Sequence, residues 1–395
     1  MSLTDSIIGK PLATSEEHSA RIGIAAGIPI FGLDALTSAA YGPEAAMTLL
    51  IPLGLYGLHY IVPIVTAILI LLGIVFFSYL QTIAAYPNGG GSYTVANENL
   101  GTGPALLAAA ALMIDYILTA AVGISAGVTA LTSAVPSLQS DTVIICLVLL
   151  AILTVVNLRG VKEAGAAFIW PTLMFVGTLA ILIAVGVFHT LMSGGHPVPV
   201  APPPPPLPAT IKYLGLWLLL KSFSNGCAAM TGVEAVSNGV NAFEEPRAKK
   251  AQISLAIIIG ILAFLLFGTT YLAKAYGITA MEPTSHHYQS MVSILTTAVF
   301  GRGWFYYLTM ATILVALPMS ANTAFSGFPR LARAIADHEY LPHVFLLRGR
   351  RLLFSHGIYA LTGFTAVILF LFDGVTDKLI PLYAIGVFAS FTLSQ

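Results

Sequence analysis

An all-α integral membrane protein is the fold class this sequence predicts, on three observations. Of its 395 residues, 57% are hydrophobic and 9% charged, against roughly 25% charged in an ordinary soluble domain, and the mean hydropathy is +0.88. The apolar residues form continuous runs, about ten of them long enough for the ~20 residues of a bilayer-crossing helix; a membrane barrel would show short alternating segments instead. Two of these runs, the first and the sixth, are interrupted at mid-depth by glycines and polar side chains. The formal net charge is zero, so neither a nucleic-acid surface nor a solvating acidic tail is indicated.

The first run covers residues 22 to 50. The segment before it contains Glu16 and Glu17 and no apolar core followed by a cleavage site, so it is not read as a removable signal peptide. The second run, 59 to 86, stops at a proline and three glycines. The third, 104 to 134, carries Asp115. The fourth and fifth, 141 to 158 and 163 to 193, are apolar apart from their ends, and "HPVPVAPPPPPLP" after the fifth reads as a stiff spacer. The sixth run, 213 to 243, is broken around "SFSNGCAAMTGVEAVSNG", as the first is around "FGLDALTSAAYGPEAAM". The remaining runs lie at 252 to 278, 302 to 328, 354 to 372 and 379 to 395. The last ends at Gln395 with no basic residue behind it, and the expectation is of a chain cut short, a single permease domain over residues 1–395.

Positive charge orients the bundle. With the amino terminus cytoplasmic, the inner loops hold Lys10, Arg21, Arg159, Lys162, Arg247, Lys249, Lys250, Arg330, Arg333, Arg348, Arg350 and Arg351, and the outer ones Lys212, Lys274, Arg302 and Lys378. Twelve against four predicts a multi-pass plasma-membrane protein with a cytoplasmic amino terminus.

Backbone groups freed at membrane depth survive only where they line protein or a wet cavity. Paired breaks at positions one and six of ten are what an inverted repeat of five plus five helices predicts, with the substrate site between them. The alternative is two kinked helices whose small residues merely permit close packing.

Three motifs then suggest a family. "YPNGGGSYTVA" (86 to 96), "NLRGVKEAG" (157 to 165) and "GVEAVSNGVNAFEEPRAKKAQ" (232 to 252) resemble signatures of the amino acid, polyamine and organocation permeases. The resemblance implies a LeuT-like 5+5 inverted repeat in which helices one and six are unwound. "DALTSAAYGPE" and "ALMIDYILTAAVGISAGV" look like its potassium-uptake branch, the proton-coupled importers of the KimA/KUP type. Matched residue by residue, this implies cation-binding roles for Asp34, Tyr41, Asp115, Thr119, Thr231 and Glu234. One departure stands out: Gly123 occupies a place where the branch tends to carry a hydroxyl, so Ser125 or a backbone carbonyl must substitute. The branch also carries two further spans and a cytoplasmic nucleotide-sensing domain absent here, through which a homodimer is expected.

The residues support a cation site without the family. A carboxylate at the bilayer centre costs on the order of 2.5–3.5 kcal/mol on insertion scales. Asp34, Asp115 and Glu234 have no intramembrane arginine to pair with, and Lys221, near the outer end of span six, can snorkel outward. Asp115 and Thr119 share a helix face at i and i+4, as Thr231 and Glu234 do at i and i+3. Carboxylate, hydroxyl and carbonyl oxygens are hard ligands suited to an alkali cation. An amino acid permease offers bare amides at the first break to cradle a substrate carboxylate; Asp34 repels a carboxylate and attracts a cation. Crowded carboxylates in a dry site do not all stay ionised, and Glu234, just after the sixth-span break, is assigned the coupled proton.

Rival readings remain for single residues. A protonated Asp115 bonding a carbonyl, back-bonded Thr119 and Thr231, and an aromatic-packing Tyr41 are the alternatives. Cys146 and Cys227 lack metal-ligand spacing and read as small buried apolar residues. His286 and His287 lack a third partner, and His338, His343 and His356 read as surface residues. No phosphate-binding loop is present, "PNGGGSY" lacking both the lysine and the strand, and no cofactor is expected. The functional reading is a proton-coupled potassium importer and not an enzyme; the alternative is an amino acid or polyamine permease, the latter marked by an aromatic cage. A channel lacks a carbonyl filter in this sequence.

Overall fold

The computed structural model describes residues 21–394 apart from 88, 90, 160–163, 212, 284, 286, 287 and 350–352. His286 and His287 therefore lie outside the described residues, as do Lys10, Lys162, Lys212, Arg350 and Arg351 of the charges used for orientation.

The helices are α1 (Ile24–Thr37), α2 (Gly42–Thr48), α3 (Gly57–Ala85), α4 (Ser92–Leu100), α5 (Thr102–Ala134), α6 (Thr142–Leu158), α7 (Ala164–Met192), α8 (Leu216–Gly226), α9 (Ala235–Asn238), α10 (Arg247–Ala275), α11 (Met291–Phe300), α12 (Trp304–Ser320), α13 (Asn322–Asp337), α14 (Ser355–Leu371) and α15 (Thr376–Ser394). Among the described residues seven spans are long and apolar enough to cross a membrane, matching seven of the ten apolar runs. The ninth run is the 17-residue α14 and the tenth is α15. The sixth is not one helix. It is α8, a 3-10 turn over Cys227–Met230, an unwound stretch and the four-residue α9, because Thr231 is extended (φ −66°, ψ 153°) and Gly232 takes φ +75°. Two helices outside the apolar runs also appear: α4, following the glycine motif, and α11, short and almost wholly buried.

Helix α5 is the axis of the bundle. It packs on α15, α12, α13 and α4, and 67% of its most apolar window is buried, against 22% for the span ending in α6. Its sequence explains this. Alanines and glycines at 105, 108, 109, 120, 121, 123 and 127 let neighbouring backbones approach. A Cβ on Gly127 would sit 2.6 Å from Pro318 Cδ, and one on Gly123 would sit 2.8 Å from the Leu317 carbonyl. On the opposite side α10 packs against α3 and α1.

The outside of the bundle is apolar. Ile70, Ile74, Phe77, Ile144 and Phe370 are all more than half exposed, as lipid-facing side chains are and soluble surfaces are not. Tyr56, Tyr213, Trp217 and Trp304 are exposed near helix starts at one end, where amphipathic rings meet a membrane interface. Lys221 is exposed with its ammonium 5.2 Å from the Trp217 ring.

The proline run is not a free spacer. The Val200 amide donates to Ala298 O (2.7 Å) and those of Thr210 and Ile211 to Pro52 O (2.8 and 3.1 Å), so the run is strapped from α11 to the turn after α2.

Two substitutions test the packing account. Gly127→Val should lower stability by about 1–3 kcal/mol through overpacking against Pro318. Gly73→Ala, with nothing within 4 Å of the new Cβ, should leave stability unchanged or raise it by about 1 kcal/mol. Thermal unfolding of both variants in detergent measures this.

Candidate functional site

The two interrupted segments lie against each other. Helix α1 ends at Thr37, the chain makes a 3-10 turn over Ser38–Ala40, and α2 restarts after Tyr41 with Pro43 in its first turn, where a missing N–H is harmless. The Ser38 hydroxyl lies 2.6 Å from Ala35 O and 2.7 Å from Ala229 O, joining the two breaks. Their far ends are also joined: the Ile22 amide donates to Ala242 O at 2.9 Å, and Ile22 O accepts from the Glu244 amide at 3.0 Å. Between these ties a Cβ on Gly232 would stand 2.7 Å from Cβ and Cγ of Asp34. Only glycine permits both the positive φ and this contact.

Around this seam lie all six residues singled out from the sequence. Asp34, Asp115 and Glu234 are buried, 3–5% exposed. Asp34 Oδ2 accepts from Thr323 Oγ1 at 3.1 Å. Asp115 and Glu234 lie close enough for their carboxyl groups to interact directly; a hydrogen bond between two carboxyls needs a proton on one of them. Asp34 lies close enough to act on both electrostatically. Thr231 Oγ1 back-bonds to Ala228 O (3.0 Å) and also lies 3.3 Å from Tyr41 Oη. Thr119 faces Tyr383 Oη at 2.9 Å, and the Tyr41 phenol lies near that of Tyr383. A row of hydroxyls, Thr231, Tyr41, Tyr383 and Thr119, therefore crosses between the sixth segment, the first segment, α15 and α5.

The oxygen chemistry fits a cation. Asp115 Oδ1 is buried with no hydrogen-bond partner, a group that burial penalises unless a ligand satisfies it. Among the described residues no ion pair reaches Asp34, Asp115 or Glu234; the pairs present are Arg247 with Glu245, Lys250 with Glu244 and Lys378 with Asp373. Nor do three histidine, cysteine or carboxylate side chains converge closely enough to hold a metal by themselves among those residues. An ion here rests partly on hydroxyl and carbonyl oxygens.

The Ser125 hydroxyl, expected with a backbone carbonyl as a substitute for the one missing at Gly123, is engaged by other partners. Gly123 packs on the Leu317 carbonyl, and the Ser125 hydroxyl accepts from Thr376 Oγ1 at 3.0 Å. Four neighbours escaped the sequence reading: Thr323, Tyr383, Tyr116 and Asn238. Their only signal is a polar group within an apolar run, which many back-bonded threonines share. Tyr116 accepts from Asn238 Nδ2 at 3.4 Å beside a cavity of about 210 Å³ that also touches Arg330 and the glycine motif. Gly89 and Gly91 of that motif back directly onto Asn238. His338, His343 and His356 are exposed, His338 being hydrogen-bonded to Tyr93.

A family model described as amino acid permease matches residues 29–395. Among curated proteins the chain is similar to the potassium transporter KimA of Bacillus subtilis (strain 168), 43% identical over 389 residues, which are 98% of this chain and 63% of the relative. The chain thus spans less than two thirds of that relative's length.

The seam yields its own expectation. Gly232→Ala should destabilise the protein by roughly 1–2 kcal/mol from the left-handed backbone alone, more if Asp34 cannot retreat. Gly177→Ala, in open space, is the control. Thermal melts of the two variants side by side check the difference.

Proposed function

As the chain belongs to the amino acid permease family, a multi-pass membrane family, we propose that it imports potassium across the plasma membrane in company with protons. The observation that carries this is the meeting of three buried carboxyl groups between two broken segments, with no ion pair to any of them among the described residues. An uncompensated negative charge at that depth is tolerable only with a cation or a proton in place. The potassium-transporting relative supports the choice of cargo.

The family description favours an amino acid as the second reading. Against it stands Asp34, seated on the Gly232 backbone where a substrate carboxylate would need bare amides. The phenols near the site are tied up by hydrogen bonds to Thr231, Thr119 and Asn238, unlike the open ring faces of an aromatic cage.

In the mechanism we infer, the segment pairs α1–α2 and α8–α9 are the unwound first and sixth helices of a 5+5 inverted repeat, with the amino terminus cytoplasmic. Asp34, Tyr41, Asp115, Thr119 and Thr231 supply oxygens to the dehydrated ion. Glu234 holds the coupled proton while the other oxygens hold the ion, so that the two cross together and a proton gradient can drive accumulation of the ion.

Uptake of rubidium by the full-length protein in liposomes, enhanced by an inward proton gradient, is the direct test; uptake of alanine or putrescine in place of rubidium sinks the potassium reading.

Asp34→Asn and Asp115→Asn should each remove potassium-dependent thermal stabilisation, which mass action puts at about 2.7 kcal/mol when ligand is a hundredfold above Kd, while the empty protein stays folded. Parent-like stabilisation in both would make these residues structural.

Glu234→Gln imitates the protonated acid permanently. Counterflow exchange of rubidium should survive, weakened, while accumulation driven by a proton gradient disappears. Continued accumulation would move the coupling role to Asp115 or Asp34.

A further inference from the structure

A second acid pair lies outside the cation site, on the face that bears the strap. Glu44 on α2 is 4% exposed, and Asp377 opens α15. Between them stands Tyr288, from the segment joining α10 to α11, with its hydroxyl 2.9 Å from Glu44 Oε1 and 3.0 Å from Asp377 Oδ2. These groups separate two spaces. Beyond them an open cavity of about 390 Å³ is lined by Thr132, Gln139, Tyr288, Asp377 and Lys378. Behind them the cavity of about 20 Å³ reaches Tyr41 of the cation site, and Ala126 and Glu44 line it too. Thr129, Tyr288, Thr376 and Asp377 border both spaces.

Proton counting gives the partition a property. A phenol has one hydrogen, so it donates to one carboxylate only. The second contact exists when the other carboxyl is an acid and donates its own O–H to the phenol oxygen. With both carboxyls ionised, one carboxylate faces the phenol's lone pairs and the two like charges repel through a single bridging atom. The closed arrangement therefore holds one proton more than the separated pair. Burial, with Asp377 and Glu44 beside it, holds the Tyr288 phenol well above its ordinary range, so it remains a neutral donor.

Among the described residues the surroundings supply no competing cation. From α2, Thr48 Oγ1 lies 3.3 Å from Asp377 Oδ1. From α11, the Met291 backbone amide stands near Glu44. From α5 comes the uncharged Thr129, and from the α1–α2 link Tyr41. On α15, Lys378 is engaged with Asp373 at 2.9 Å.

We propose that Glu44, Tyr288 and Asp377 form a proton-operated latch that closes the outer way to the cation site when the trio holds one proton and opens it when both carboxyls are ionised. The purpose of the latch rests on the transporter reading above; its proton chemistry does not.

The test is thiol accessibility in full-length protein, without rubidium and without a proton gradient. A cysteine placed behind the latch, Ala126→Cys, is compared with one in the open cavity, Gln139→Cys, using a membrane-impermeant thiol reagent. The ratio of the two labelling rates cancels the pH dependence common to both thiols. Native Cys146 and Cys227 are buried, and the parent chain gives the background. One proton per closure predicts a ratio rising by up to about tenfold per pH unit across the transition, low in acid and high in base.

Asp377→Asn and Glu44→Gln each place an amide N–H where the acid proton sat, so each should hold the ratio low at every pH. Two such variants keep the test usable if one fails to fold. They also separate the latch from titration of His286 and His287. Tyr288→Phe should hold the ratio high throughout. A parent ratio flat with pH, amide variants that follow the parent's profile, or a Tyr288→Phe ratio that stays low would each overturn the latch. Since labelling needs no cargo, a latch that titrates beside failed rubidium uptake refutes the potassium reading alone, and the converse refutes the latch alone.

Discussion

Negative charge taken out of water without an internal counter-charge is the condition from which the rest of this structure follows. Three carboxyl groups are buried within one helical bundle, and among the described residues no lysine or arginine is ion-paired to them. Hydroxyl-bearing side chains gather around them, and two segments give up part of their helical hydrogen-bond ladders, their carbonyls at Ala228 and Ala229 accepting from Thr231 and Ser38 instead. Interrupted helices at such depth are costly in lipid and persist where protein encloses them. Here each break encloses the other, through Ser38 and Ala229 on one side and Gly232 and Asp34 on the other.

The enclosing shell is stiff on one side and divided on the other. Helix α5 brings Asp115 and Thr119 to the site on a core of alanine and glycine contacts that leave little slack. The first and sixth segments meet it through single hydroxyls and one glycine. Tyrosines stand at three levels: Tyr288 toward the strap, Tyr41 and Tyr383 beside Thr231 and Thr119, and Tyr116 toward Arg330. A phenol suits all three places because its ring seals apolar space while its hydroxyl pairs with whatever polar group is exposed on one side.

The helical membrane class was legible in the long apolar runs, and Asp34, Asp115 and Glu234 stood out as carboxylates where none should be, whereas Tyr41, Thr119 and Thr231 were named through the family resemblance. The break of the sixth run was visible in its glycines, yet its extent was not, since a contiguous apolar stretch from 213 to 243 gives no sign that only 216–226 forms a helix of useful length. Thr323 went unseen because a threonine hydroxyl on an apolar helix usually back-bonds to its own carbonyls, and Tyr383 because a tyrosine in an apolar run reads as packing; only the tertiary approach of α13 and α15 gives these two another task. Glu44 and Asp377 were read past for a related reason: each lies at a helix end, where a carboxylate commonly meets water, and it is Tyr288, more than 80 residues from either, that buries them together. The stiff-spacer reading of the proline run gave no sign of where its ends are tied, because composition fixes stiffness but not attachment.

That attachment has a mechanical meaning. An extended proline chain rises roughly 3.1 Å per residue and has no internal hydrogen bonds to unravel, so it neither stretches nor coils to accommodate its anchors. Fixed to Ala298 at one end and to Pro52 at the other, it works as a tie rod of set length between the helix just after the Tyr288 segment and the turn that follows the first break. Movement that swings α2 outward must swing the α11 region with it or stop at the limit of the rod. The length of a low-complexity loop thereby sets the stroke of the moving parts, and losing or gaining a proline there alters travel without touching a single ligand.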